Sequence, residues 1–238
     1  MKHFQFKEFR LRQDRAAMKV GTDSTILGAW VQTENVGKGL DIGTGTGILS
    51  LMLAQRYTNL QIDAIEPDPG SFADALENFG KSPWFDRLEL HQQTLQNFTS
   101  ADRKAGYDLI ISNPPYFEPS PFNSINPVSN ARQTNQLTHP LLIQHAASLL
   151  SEQGKLNVIL PVAEAIHFRA FAERQGLYCS KLCQVKTHEN KEVRRHLMEF
   201  QKGEQPCQVS ELTILRSNTP NDYTEEYRNL VKPFYLFL

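Results

Sequence analysis

The sequence predicts an α/β fold, with a doubly wound, mostly parallel sheet of seven strands in a single domain. A strand, a glycine-rich turn and a helix follow one another over residues 39–57. Strand-like and helix-like segments then alternate along the chain, which is typical of parallel sheets with helices on both faces. One short apolar strand, Leu109–Ile111, ends in Asn-Pro-Pro-Tyr at residues 113–116. In such folds, ligands bind where the strands end.

Composition excludes several classes of protein. The chain has 238 residues, 25 of them basic and 26 acidic, which argues against a uniformly basic nucleic-acid-binding surface. Two stretches are nevertheless basic: residues 1–19 hold six basic and two acidic residues, and residues 181–202 hold six and three. Each is either a solvated face or part of an RNA-binding surface. With Arg132, they are expected to form one basic rim around the ligand pocket.

The three cysteines, at positions 179, 183 and 207, are too few and wrongly spaced for a zinc site or a disulfide framework. We therefore expect no metal. The first twenty residues contain no apolar signal core, and no apolar run approaches membrane-spanning length. We expect a cytoplasmic protein that does not bind membranes, and nothing in the sequence indicates an obligate protein partner.

Residues 1–38 are expected to precede the sheet. The alternation of aromatic and polar residues over Phe4–Leu11 predicts a hairpin or an edge strand. Thr22 or Asp23 is a good N-cap for a helix from Ser24 to about Gln32. Such a helix start offers free N–H groups to an anion, although an ordinary cap is the simpler explanation of the pattern.

The glycine turn has the pattern D-x-G-x-G-x-G, formed by Asp41, Gly43, Gly45 and Gly47. Glycines let a turn approach a ligand without side-chain obstruction. A nicotinamide fingerprint would need its third glycine at Ile48, and a phosphate-binding P-loop would need Gly-Lys-Ser/Thr. The pattern resembles the S-adenosylmethionine loop of class I methyltransferases.

Two later strand ends complete this interpretation. The second strand ends in Glu66, 19 residues after Gly47, where an acid can bind both ribose hydroxyls or merely face solvent. The third strand leads to Thr94 and Leu95. The methyltransferase pattern usually has an acid here for the adenine amino group. Thr94 is a departure, because a hydroxyl cannot accept a charge-assisted hydrogen bond as a carboxylate does.

The remaining segments alternate as before. Phe117–Thr138 is polar and lacks periodicity, so we expect a base-binding loop over residues 117–139. Helices are predicted over residues 140–150 and 163–175, and strands over 154–160, 178–187 and 210–215. The last two strands bracket the basic segment at 191–195, and the apolar carboxyl end is expected to pack against the rest of the chain.

Together these features resemble the family of bacterial methyltransferases that modify adenine N6 beside the anticodon of valine tRNA. The resemblance also includes Lys19–Asp23, Gly28–Trp30, Ala131–Arg132, Leu137–His139, Arg194–Arg195 and the Phe-Tyr-Leu ending. It implies a Rossmann-like class I methyltransferase fold, S-adenosyl-L-methionine as cofactor and tRNA as partner. The glycine loop and Asn-Pro-Pro-Tyr are specific to the class, whereas the flanking motifs carry the substrate assignment.

The resemblance assigns residues to roles. Asn113, Pro114 and Tyr116 are expected to be catalytic. The expected cofactor-binding residues are Lys19, Thr22, Asp23, Asp41, Gly43, Gly45, Gly47, Glu66, Thr94, Leu95 and Asn113. The expected substrate-binding residues are Pro115, Tyr116, Phe117, Arg132, Arg194 and Arg195.

The chemistry follows from the residue types. An adenine amine is a poor nucleophile because its lone pair is delocalised into the ring. If the Asn113 oxygen and the Pro114 carbonyl accept its two N–H bonds, electron density returns to the nitrogen and the lone pair turns toward the methyl donor. Holding two reactants in line can lower the barrier by roughly 7–11 kcal/mol. Tyr116 would stack on the flipped base, and no residue is required as a general base.

Other enzymes and binding proteins share parts of this pattern. Protein methyltransferases that modify a glutamine amide use Asn-Pro-Pro-Tyr, but they usually carry a helical domain before the glycine loop, where this chain has only about 40 residues. DNA and ribosomal-RNA amino-methyltransferases remain an alternative. A non-catalytic RNA-binding protein is disfavoured because both motifs are intact.

Overall fold

The computed structural model describes residues 3–16, 18–34, 36–100, 106–116, 137–217 and 219–236. Two residues expected to bind substrate, Phe117 and Arg132, lie outside the described residues, as does most of the expected base-binding loop. The described strands form a main sheet of eight strands and a separate sheet of two.

The strands and helices are numbered in chain order. The strands are β1 His3–Gln5, β2 Arg10–Arg12, β3 Lys38–Ile42, β4 Gln61–Ile65, β5 Leu88–His91, β6 Tyr107–Ser112, β7 Leu150–Pro161, β8 Leu177–His188, β9 Val193–Lys202 and β10 Gln208–Leu215. The helices are α1 Thr22–Trp30, α2 Ile48–Arg56, α3 Pro69–Gly80, α4 Leu95–Ser100, α5 His139–Leu149, α6 Val162–Arg174 and α7 Glu225–Val231, with a 3₁₀ turn at Phe85–Arg87.

The main sheet has the strand order β10-β8-β9-β7-β6-β3-β4-β5. Strand β9 is antiparallel to both of its neighbours, and every other pairing is parallel. Helices α1, α2 and α7 contribute to the apolar core on one face, and α4, α5 and α6 to the core on the other. The expected doubly wound, mostly parallel fold is therefore confirmed. Because the order reverses beside β3, a ligand crevice is expected where β3 and β6 end.

The predicted number of strands was one too low. Strand β9 occupies the region that the sequence placed between two strands, and it buries His196–Phe200 in the interior of the sheet. Its first residues include Arg194, which is exposed, and the half-buried Arg195. Because these two residues are charged, the start of β9 lacks the apolar pattern of a strand, although the residues that follow are buried.

The amino-terminal segment forms the expected hairpin, in which Phe4 pairs with Leu11. The predicted N-cap of α1 was wrong, because the cap is Gly21 and makes no side-chain hydrogen bond. The Asp23 carboxylate lies in the first turn and binds other side chains instead. The carboxyl end packs as expected, with Phe234 fully buried. Among the described residues, no helix has both the length and the apolar character needed to cross a membrane.

Candidate active site

The glycine loop and the Asn-Pro-Pro-Tyr turn leave the sheet side by side. Strands β3 and β6 are paired, with Asp41 opposite Ile111. Gly43 and Asn113 each follow two residues later, at the carboxyl ends of these two parallel strands. The pairing therefore brings the two motifs that the sequence singled out to one crevice.

The three glycines of the loop all have positive φ, at +70° for Gly43, +59° for Gly45 and +84° for Gly47. Residues other than glycine rarely adopt this backbone conformation. At Gly47 an added Cβ would also lie 2.4 Å from Cε1 of Phe79. At Gly45 an added Cβ would meet nothing within 4 Å. Gly47 is thus required for packing, whereas Gly45 borders the open crevice.

Asp41 organises the loop from beneath. It is fully buried, and its Oδ2 accepts hydrogen bonds from Thr44 Oγ1 at 2.5 Å, Ser50 Oγ at 2.7 Å and Ser50 N at 3.1 Å. Burial raises the pKa of Asp41 to about 6, although these hydrogen bonds oppose the rise. Its buried Oδ1 has no hydrogen-bond partner among the described residues. Asp41 therefore supports the loop and retains one acceptor.

Glu66 lies just past the end of β4, and most of its surface is buried. Its Oε2 accepts from Gly45 N, and its Oε1 accepts from Asp68 N, both at 2.9 Å. Burial raises the pKa of Glu66, and these two hydrogen bonds counteract part of that rise. Each carboxylate oxygen can accept a further hydrogen bond. The side chain is therefore held in one orientation beside the glycine loop.

We expect Glu66→Ala to weaken S-adenosylmethionine binding by roughly 1.5–3 kcal/mol, because hydrogen bonds to a charged acceptor would be lost. Calorimetry on the folded variant measures this change. Glu66→Gln keeps the size of the side chain but turns one acceptor oxygen into an NH2 donor, so it should also weaken binding. Unchanged affinity in Glu66→Ala would exclude a role in binding the cofactor.

Thr94 and Leu95 line a small cleft together with Gly43, beside the end of β4. The Thr94 hydroxyl accepts a hydrogen bond from Asn97 N at 3.3 Å, at the start of α4. Its oxygen is thus partly used by the helix. Gln93 lines the same cleft and has an amide that can both donate and accept. The sequence pattern does not single out Gln93, because the acid usual in methyltransferases belongs at position 94.

Two other expected cofactor-binding residues are exposed: Lys19, which precedes α1, and Thr22, the first residue of α1. Their assigned roles remain predictions.

The Asn113 side chain is fixed from both ends. Its Nδ2 donates to Ser24 Oγ at 2.9 Å, and its Oδ1 lies 3.3 Å from the Tyr116 hydroxyl, whose single proton is shared with Asp23. With the amide nitrogen directed toward α1, the oxygen keeps capacity for one more donor. Ser24 could not be predicted as a site residue, because no sequence pattern relates position 24 to position 113. Pro114 is buried and Pro115 is exposed, so the turn presents only part of its surface.

Tyr116 is tied to two distant segments. Its hydroxyl donates to Asp23 Oδ2 at 2.5 Å, and Arg195 Nε donates to the same oxygen at 2.8 Å. The Arg195 guanidinium carbon lies 5.1 Å from the centre of the Tyr116 ring. Burial, followed by the contact with Asp23, raises the pKa of Tyr116 well above its ordinary value. The phenol therefore stays protonated and acts as a donor.

His139, the first residue of α5, supports the other side of the turn. Its ring makes a hydrogen bond to the Pro115 backbone, and burial lowers its pKa. Its ring also packs edge-on against Phe168, with the centroids 5.6 Å apart. The Asn-Pro-Pro-Tyr turn is therefore held between α1 and α5.

Comparison with known proteins agrees with this geometry. The family model described as the methyltransferase small domain matches residues 16–169. A tRNA1(Val) (adenine(37)-N6)-methyltransferase from Trichodesmium erythraeum is 46% identical, over 98% of this chain and 97% of that protein. An enzyme of the same name from Photorhabdus laumondii is 39% identical, over 98% of this chain and 95% of that protein.

Solved structures agree on the fold. A predicted O-methyltransferase from Agrobacterium tumefaciens has a TM-score of 0.69 at 15% identity, covering 89% of this chain and 96% of that one. TYW2 from M. jannaschii, solved in complex with AdoMet, has a TM-score of 0.56 at 16% identity, covering 84% and 86%. At such low identity these structures bear on the fold alone.

Proposed function

The chain belongs to the family of tRNA1(Val) (adenine(37)-N6)-methyltransferases, and from that premise we propose that it methylates N6 of the adenine beside the anticodon of valine tRNA. The observation that carries this proposal is the placement of Asn113. Its amide stands at the end of β6, beside the glycine loop, with its orientation fixed by Ser24 and Tyr116. An enzyme that activates a conjugated amine needs an acceptor held in this way.

The residues of the crevice fit S-adenosyl-L-methionine, which supplies an electrophilic methyl group when bound. Gly45 leaves open space where a side chain would stand, and Asp41 Oδ1 is a buried acceptor without a partner among the described residues. Glu66 presents a carboxylate of fixed orientation for hydroxyl groups. Thr94, Leu95 and Gln93 line the cleft in which an adenine ring would lie.

The chain's own residues then act on the amine of the target adenine. The Asn113 oxygen accepts one N–H, and the Pro114 carbonyl is assigned the other. Both contacts draw electron density back onto the nitrogen and fix the direction of its lone pair. Tyr116 provides an aromatic face for the flipped base, a contact worth about 1–3 kcal/mol. These contacts lower the barrier by positioning, with no requirement for a strong base.

A labelling experiment tests the proposal. The purified protein is incubated with labelled S-adenosylmethionine and total RNA from cells that lack the enzyme. We expect N6-methyladenosine in the tRNA fraction, and no label in a valine tRNA transcript whose target adenine is replaced by guanine. Label that appeared only in protein would overturn the proposed substrate.

The charges of residues 181–202 do not all lie around the site, as one continuous basic rim would require. Strand β9 starts near the carboxyl ends of the parallel strands, where the site lies, and finishes near their amino ends. The charges of residues 181–202 are therefore divided between the two ends of the strands. Lys202 lies at the far end and pairs with Glu152 at 3.0 Å, whereas Arg194 is exposed near the site. We propose Arg194 as a contact to tRNA phosphate.

We expect Arg194→Ala to weaken tRNA binding and to reduce the slope of log affinity against log salt by about 1, because one phosphate contact is lost. Cofactor affinity should not change. Titrations of tRNA at several salt concentrations measure both quantities. Lys202→Ala is the control, since it removes a cation from the same strand at the far end. Equal salt slopes in wild type and Arg194→Ala would show that Arg194 is only a solvated residue.

The proposal also covers the organisation and location of the chain. We propose a single functional domain, because α1, within residues 1–38, contacts Asn113 and Tyr116 of the core directly. A tRNA substrate supports the expected location in the cytoplasm.

A further inference from the structure

Asp23 was expected to bind the cofactor, but its observed contacts are with other residues. The carboxylate accepts one hydrogen bond from the Tyr116 hydroxyl and one from the Arg195 guanidinium, both at Oδ2. Asp23 lies on α1, Tyr116 follows β6 and Arg195 lies on β9. One oxygen atom thus joins three segments that are far apart in sequence.

These contacts limit the freedom of the Tyr116 ring. The short hydrogen bond to Asp23 fixes the hydroxyl end of the Tyr116 side chain. The preceding Asn113–Pro114–Pro115 turn fixes its backbone end. The Arg195 guanidinium lies over the ring, 5.1 Å from its centre. A cation over an aromatic face is attracted to it, and the charge of Asp23 holds that cation in place. Arg195 therefore occupies one face of the ring, and a planar base that stacks on Tyr116 would have to use the other face.

We propose that Asp23 is a positioning residue for the target base, acting through Tyr116 and Arg195 rather than through the cofactor. This inference deepens the proposed function and rests on it. The Tyr116 hydroxyl has no chemical role in the step. Its hydrogen bond to Asp23 fixes the orientation of the ring. A flipped adenine then stacks on one defined face and brings its amine to Asn113. Arg195 neutralises Asp23 and covers the other face.

The experiment compares Asp23→Ala, Tyr116→Phe and the double variant. Each is assayed for single-turnover methyl transfer to tRNA, for fluorescence of a tRNA with 2-aminopurine at the target position, and for S-adenosylmethionine affinity by calorimetry. We expect each single variant to lower the single-turnover rate by about tenfold or more, the scale of losing a hydrogen bond to a charged group. Weaker 2-aminopurine capture should accompany the loss, with cofactor affinity unchanged.

The double variant provides the sharpest result. Because both changes break the same contact, its rate should be no lower than that of the slower single variant. Asp23→Asn keeps an oxygen for the Tyr116 hydroxyl and should restore part of the rate. Glu211→Ala, which removes the partner of Lys186 in an ion pair of 2.8 Å on the outer strands, is the control. Its rate should match that of wild type.

Two results would overturn the inference while leaving the proposed function intact. In the first, the wild-type enzyme methylates tRNA, but Asp23→Ala lowers cofactor affinity tenfold and leaves base capture unchanged. The other is a double variant whose losses multiply. A wild-type enzyme that methylated no tRNA would instead refute the proposed function, and this inference with it.

Discussion

Asn113→Ala should leave S-adenosylmethionine and tRNA affinity nearly unchanged while the single-turnover rate falls by about two to three orders of magnitude. This is the scale of removing a preorganised polar partner of the reacting group. The Asn113 oxygen acts on an amine whose lone pair becomes available as the reaction proceeds, so the interaction is stronger in the transition state than in the bound substrate. Stopped-flow or quenched single-turnover kinetics, with calorimetry for binding, measure the two effects separately.

The alternative role for Asn113 is purely architectural, because its amide also links the turn to Ser24 of α1. If that role dominated, Asn113→Ala would lower the melting temperature and would impair cofactor binding, tRNA binding and rate together. Asn59→Ala, at an exposed turn between α2 and β4, is the matched control for removing an asparagine. A well-folded Asn113→Ala enzyme with a nearly normal rate would end the proposed mechanism.

Much of the fold could be predicted because its local signals are strong. The glycine loop and the buried strands β3, β4 and β6 each combine an apolar run with a clear boundary. Strand β9 could not be placed, because Arg194 and Arg195 near its start are charged and Arg195 binds Asp23 from outside the strand. Tertiary contacts override a local pattern there, and Arg195 is the clearest case, through its pairing with Asp23.

The site shows the same division between local and distant information. Asp41, Glu66 and Asn113 follow strands directly, so their convergence at one edge follows from the parallel topology. Ser24 and Gln93 could not be found in this way. Ser24 meets Asn113 across 89 positions of sequence, and Gln93 precedes the position at which an acid is usual. Asp23 was predicted as a helix cap and a cofactor-binding residue, whereas its observed contact is with Tyr116. A carboxylate in the first turn of a helix gives the same sequence pattern in either role.

The glycine loop permits a prediction that separates folding from cofactor binding, through Gly47→Ala and Gly45→Ala. Both residues have positive φ, which costs a side chain about 1–2 kcal/mol. Only at Gly47 would the new Cβ also collide with Phe79, 2.4 Å away, and overpacking adds typically 1–3 kcal/mol. Gly47→Ala should therefore destabilise the protein by about 2–5 kcal/mol, and cofactor binding should fall with it.

Gly45→Ala should give the opposite pattern. Its Cβ meets no protein atom within 4 Å, so the loss of stability should stay near the backbone cost alone. The same methyl group would stand in the crevice beside Gly45 N, which donates to Glu66, and should weaken S-adenosylmethionine binding by at least tenfold. Denaturant unfolding and calorimetry on both variants measure the two effects. Replacing Phe79 by leucine should recover part of the stability lost in Gly47→Ala, whereas in Gly45→Ala it should only lower stability, because Phe79 is buried. If Gly45→Ala bound the cofactor normally, the crevice above Gly45 would not be the cofactor site.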